Sequence, residues 1–184
     1  VLVPGDISWA LRLEEAYYDL KRIHELPGKK AFVKGNHDYW WQSLQKLHEL
    51  DFDSIEFIQN NSFEFNDFLI SGTRGWISKD SDNFTEEDNK VYKRELLRLR
   101  MSLSNIMNND KKRIVMLHYP PFNNDLSPNE FVTIMKEFHV DKCIYGHLHS
   151  EGHKLVVEGN IQGIEFHCVA SDYINFSPEL IMGE

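Results

Sequence analysis

Two cysteines in 184 residues, Cys143 and Cys168, are too few for a disulfide framework, and they stand too far apart for a CxxC zinc pair. That scarcity suits a reducing compartment, so a cytoplasmic location is expected. Also missing is any apolar run near the roughly 18 residues of a membrane span, and no basic stretch leads into an apolar one at the start. No membrane partner is expected. Positive charge is short as well: 20 Lys and Arg face 29 Asp and Glu, for a formal charge of −9. Such a chain repels polyanions, which argues against long nucleic acid as a partner. Repeats, low-complexity tracts and linkers are absent too. With 41% hydrophobic residues the chain can fill one sizeable core, and a single domain over residues 1–184 is expected.

What is present begins with four short apolar runs: Val1 to Pro4, Ala31 to Val33, Ile114 to Leu117 and Cys143 to Tyr145. Lacking polar alternation, they read as strands buried on both faces. Leu13, Ala16, Tyr17, Leu20 and Ile23 recur at helical spacing, as do Leu44 and Leu47, so amphipathic helices follow the first two strands. Between Phe84 and Met107 the spacing of Tyr92, Leu96, Leu99, Leu103 and Ile106 predicts a longer helix, opened by the start signal Thr85-Glu86-Glu87-Asp88. Its charged face, with Arg94, Arg98 and Arg100, reads as a solvated surface. A shorter helix is predicted over Phe131 to Phe138. Ile55 to Ser71 and Lys154 to Ala170 read as hairpins, broken at Asn60-Asn61 and at Gly159-Asn160-Ile161-Gln162-Gly163. The expected fold is α/β: two sheets flanked by helices.

The residues just after the four strands carry the chemistry. They are Gly5-Asp6, then Gly35-Asn36-His37-Asp38, then His118, then Gly146-His147-Leu148-His149. Ligands of open α/β sheets bind beyond the carboxyl ends of strands, so these endings are expected to meet in one crevice. Carboxylate, amide oxygen and neutral imidazole together suit Zn, Mn, Fe, Co or Ni better than calcium, which prefers oxygen throughout. In a nearly extended stretch His147 and His149 point apart. They could therefore serve two adjacent ions bridged by Asp6, an arrangement suited to phosphoryl hydrolysis. Taken singly, each residue has a plainer role: Asp6 as a turn former, Asn36 as a turn residue, His118 as a core histidine. His24, His48 and His139 read as surface or cap residues, and His153 and His167 stay outside the metal set. Arg74, in Ser71-Gly72-Thr73-Arg74-Gly75-Trp76, is either a phosphate contact, because a guanidinium holds two phosphate oxygens, or a turn arginine.

In this order and behind these strands, the motifs resemble the calcineurin-like metallophosphoesterases, from Val1 to about Ala170. The resemblance implies a four-layer αββα sandwich with a dinuclear metal centre at one rim. It implies Asp6 as the bridging ligand, Asn36, His118 and His147 completing one site, and His149 on the other ion. His37 would stand beside the substrate and assist the leaving oxygen, while hydroxide held between the two divalent ions attacks phosphorus. Manganese is among the metals expected. The family's opening D-x-H motif has no counterpart here, so the resemblance implies one metal site left incomplete in this chain, and a strand carrying that motif is expected upstream of Val1. Phosphoprotein phosphatases of the family continue as GDxxDRG, where this chain reads Gly5-Asp6-Ile7-Ser8-Trp9-Ala10. A small phosphorylated substrate is expected. Two other readings stay open: a non-catalytic binding or scaffold module of the same fold, and a cyclic nucleotide or dinucleotide phosphodiesterase.

Overall fold

Strands without polar alternation must bury both faces, and here each strand sends alternate side chains into two different cores. In β2 (Lys30–Val33) Phe32 points to one core, whereas Ala31 and Val33 point to another. The same division recurs in β6 (Lys112–Leu117), where Val115 and Leu117 part from Met116, and in β7 (Lys142–Tyr145), where Cys143 and Tyr145 part from Ile144. The core built from Ala31, Val33, Ile58, Ile70, Met116 and Ile144 lies between the sheets. The other two lie between each sheet and its helices. Full burial of each such large side chain contributes roughly 1.5–3 kcal/mol.

This is a computed structural model, and it describes residues 1–104 and 110–182. The first sheet has the order β1-β2-β3 and is parallel, with β1 at Leu2–Val3 and β3 at Ile55–Ile58. Helices α1 (Leu13–His24) and α2 (Leu44–His48) cover it through Ala16, Leu20 and Leu47. The second sheet has the order β4-β5-β6-β7-β9-β8. Its inner strands β5 (Phe68–Thr73), β6, β7 and β9 (Ile164–Cys168) are parallel, and the edges β4 (Ser62–Phe65) and β8 (Gly159–Ile161) are antiparallel. Helices α3 (Glu86–Ser104) and α4 (Glu130–Glu137) cover it through Tyr92, Leu99, Phe131 and Val132. Two facing sheets with helices outside are what the sequence leads one to expect. The start signal of α3 is also present: Thr85 N–H donates to Asp88 Oδ2 at 2.9 Å, and Asp88 N–H donates to Thr85 Oγ1 at 3.2 Å. Ile106 and Met107, at the expected end of that helix, lie outside the described residues.

Two expectations need correction. Ile55 to Ser71 is not one hairpin: β3 pairs with β2 in the first sheet, and the hairpin is β4 with β5 in the second. Asn60-Asn61 lies at the crossover between sheets. There the Asn61 side chain accepts from Gln59 N–H at 3.0 Å and donates to Phe57 O at 3.0 Å, giving the turning backbone local partners. The hairpin turn falls instead at Asn66, whose φ of 51° is left-handed. The final hairpin begins at Gly159, not Lys154. Ser150–Leu155 forms a 3₁₀ helix whose last residue, Leu155, packs with the loop residues Val156 and Val157 against the core under α3 and α4. The turn is Gln162-Gly163, both at positive φ (55° and 90°), as a tight two-residue hairpin requires.

Candidate metal centre and active site

Parallel strands place their carboxyl ends on a common edge, and four of those ends meet across the two sheets. Asp6 follows β1, Asn36 follows β2, His118 follows β6 and His147 follows β7. Asn36 Oδ1 lies 2.6 Å from His118 Nε2 and 3.0 Å from His147 Nδ1, and the two ring nitrogens are 3.2 Å apart. Asp6 Oδ2 is 3.5 Å from His118 Nε2. The structure thus brings together four of the five residues expected as metal ligands. Glycine permits this proximity. A Cβ on Gly35 would fall 2.0 Å from Asp6 Oδ1, and one on Gly5 would fall 2.6 Å from His118 Nδ1. Asp6 (φ 57°) and His147 (φ 69°) themselves occupy the left-handed region, a backbone strain of the kind that gathers at functional sites.

The protonation pattern makes this cluster fit a cation. His118 Nδ1–H donates to Pro4 O at 2.8 Å, which leaves Nε2 of the neutral ring as a lone pair facing the Asn36 amide oxygen and the Asp6 carboxylate. A cation held between these groups would pair with each of their lone pairs. Both imidazoles are held neutral: burial pushes His118 below its usual range, and burial followed by repulsion from His118 lowers His147 to about 4. The donor atoms stand 2.6 to 3.5 Å apart, near enough to one another for a single ion to be held by all of them. The amide is essential to the set. Among the described residues, no three His, Cys, Asp or Glu side chains by themselves form a metal-holding group.

His149 lies apart from that cluster. Its Nδ1 is 2.6 Å from Asp172 Oδ1, and Asp172 Oδ2 accepts from Ser150 N–H at 2.9 Å. A carboxylate on one imidazole nitrogen is a common support of metal-binding histidines, and it leaves the Nε2 side of this ring turned to other partners. Asp172 was not legible as a site residue, being 23 positions downstream of its partner. His153 Nε2 comes within 3.1 Å of the same carboxylate and takes no part in the donor cluster.

His37 is positioned by two contacts. Its backbone N–H donates to Asp6 Oδ1 at 2.9 Å, and its ring stacks on Trp9, with centroids 4.8 Å apart and planes 13° apart. Asp38 does not orient it. The fully buried Asp38 carboxylate instead accepts N–H bonds from Gly35 (2.7 Å), Asp6 (2.9 Å), Ile7 (2.9 Å) and Ser8 (3.1 Å), and from the Trp40 indole (3.0 Å). One side chain therefore ties the loop after β1 to the loop after β2. Burial raises its pKa, against the pull of the bonds from Gly35, Ser8 and Ile7.

Arg74 follows β5. Its carbonyl accepts from the N–H groups of His118 and Tyr119, both at 3.0 Å, and its guanidinium lies 4.2 Å over the Trp76 ring. Arg94 and Arg98 do not form a plain solvated face. Together with Arg74 they approach the fully buried Glu95, Arg94 while staying half exposed, and Arg100 pairs instead with Glu137.

No helix among the described residues is long and apolar enough to cross a membrane. No curated protein matches the chain. The calcineurin-like phosphoesterase family matches it over residues 1–151, short of Ala170, where the motif resemblance ends. That stretch holds every residue of the donor cluster, His37 and His149, so the chain belongs to the calcineurin-like phosphoesterase family, in which phosphate esters are hydrolysed with the help of divalent metal ions.

Proposed function

We propose that this protein hydrolyses a small phosphate ester at the strand-end cluster, using two divalent ions drawn from Mn, Fe, Zn, Co or Ni. The observation that carries the reading is the meeting of Asn36, His118, His147 and Asp6 at one point with His37 beside them. Asp6, Asn36, His118 and His147 would hold one ion, and Asp6 with His149 would contribute to the second. When bound, the ions supply Lewis acidity toward the phosphoryl oxygens and toward water. His37 gives its proton to the leaving oxygen, a contribution of about 10²–10⁴-fold in rate, and the Trp9 ring fixes its plane. The buried imidazoles stay unprotonated at neutral pH and keep their lone pairs for the metal.

The test is bound metal by elemental analysis, alongside hydrolysis of aryl phosphate monoesters and diesters with each divalent ion. Monoester turnover should vanish on chelation and return with metal. His37→Ala should retain the metal and lose about two orders of magnitude in kcat. Turnover that survives exhaustive chelation would falsify the metal-dependent reading. Loss of metal in His37→Ala would make His37 a ligand instead, and diester turnover alone would move the reading to a phosphodiesterase.

A further inference from the structure

A cavity of about 430 Å³ opens where the end of β2, the end of β5 and α3 come together. Its wall holds Lys34, Arg74, Arg94 and Arg98 against a single carboxylate, Glu95. In a chain with a formal charge of −9, four cations around one hollow are a local inversion of the overall field. Glu95 cannot balance them. Its Oε1 is shared by Arg98 at 2.8 Å, Arg94 at 3.5 Å and Arg74 at 3.8 Å, and its Oε2 accepts from Thr73 Oγ1 at 2.5 Å. No carboxylate among the described residues comes within ion-pair distance of Lys34, and Arg74 Nε is buried with no hydrogen-bond partner among them. A purely structural ion pair needs one cation per carboxylate. The additional cations repel one another, and an anion in the hollow would relieve that repulsion.

The cavity adjoins the proposed reaction centre through two loops. Lys34 directly precedes Gly35-Asn36, and the Arg74 carbonyl holds the backbone of His118. Two residue steps of about 3.8 Å separate Lys34 from Asn36 along the chain, the scale of a short carbon linker. The volume suits a phosphate group together with part of the molecule that carries it.

We propose that the substrate carries two phosphate groups, one hydrolysed at the strand-end cluster and the other held, unreacting, in this cavity. The inference rests on the phosphoesterase reading above. In the reaction, water forms a bond to one phosphorus, the ester P–O bond breaks, and the alcohol oxygen takes a proton. Inorganic phosphate and a monophosphorylated alcohol are the products. The second phosphate is gripped by the guanidiniums of Arg74, Arg94 and Arg98 and by Lys34, and its binding energy orients the first.

Two measurements on the full chain test this. The first compares kcat/KM for alkanediol bisphosphates of increasing spacer length with that for the matching alkyl monophosphates. The bisphosphates should be preferred by about tenfold or more at one spacer length. Arg94→Gln, at a half-exposed position on α3, should cut that preference about tenfold, with Arg94→Lys restoring part of it. The second is calorimetric binding of inorganic phosphate in the presence of chelator, where wild type should bind and Arg94→Glu should not. Monophosphates hydrolysed as well as every bisphosphate, or chelator-resistant phosphate binding that is absent or unchanged in Arg94→Glu, would overturn the two-phosphate substrate while leaving the phosphoesterase reading in place. Hydrolysis of neither ester class with any divalent ion would overturn that reading and the inference with it.

Discussion

The Gly146-His147-Leu148-His149 segment divides the site into two unlike halves. His147 is mostly buried against His118 and Asn36, in a backbone conformation strained to φ 69°, and is held in place by packing. His149, two residues on, is half exposed and held by a single carboxylate, Asp172. The buried half is anchored from within by Asp38, which binds the two loops carrying Asp6 and Asn36. The outer half is anchored from the segment after β9, beyond the stretch that matches the family. Of the two proposed ion positions, one is thus built into the core of the fold and the other hangs on a surface contact.

The two aspartates allow a matched pair of substitutions. Asp38→Ala should have the largest effect, because it removes the acceptor of five N–H donors, three of them in buried bonds, each costing about 1–3 kcal/mol when left unsatisfied in the interior. A loss of at least about 3 kcal/mol is expected in urea unfolding, along with loss of bound metal. An unchanged midpoint would show that the loops do not depend on that carboxylate.

Acidification should next bear on the buried half through His147. The unfolded chain carries His147 near the ordinary value of 6.5, while the folded chain holds it at about 4. Between those values the unfolded state binds the extra proton, so the chelated chain should lose the His147 contribution to stability as the pH falls through that window. His147→Asn should flatten that dependence, as measured by unfolding midpoints across the pH series.

Asp172→Ala should leave the unfolding midpoint close to wild type and weaken the affinity of the more loosely held ion about ten- to a hundredfold, as read by metal titration. Equal loss at both ions would erase the distinction between the halves. Trp9→Ala should do least. The residue is 79% exposed, so folding should be untouched, while the ring that fixes His37 is lost and kcat falls about three- to tenfold with metal content constant.

How much of this was legible follows the same division. The donor cluster could be read because each member stands one to three residues after a strand, and parallel strands force those endings together. Asp38 lay in the same motif, but its role was hidden. Its partners are backbone groups of residues 6 to 8, and backbone N–H groups leave no mark in a sequence. Arg94 and Arg98 were read as a solvated face because helical periodicity separates apolar from polar positions and is silent on which polar positions face a neighbouring loop. The crossover at Asn60-Asn61 was mistaken for a hairpin turn because asparagine suits both, and only strand partnership tells them apart.

The bond from His118 to the Pro4 carbonyl also has a mechanical side. Pro4 ends a strand of one sheet and His118 a strand of the other, so one imidazole rivets the two halves of the sandwich at its rim. A ligand that immobilises that ring fastens both sheets at once, and its occupancy should be readable as a rise in melting temperature, with no substrate present.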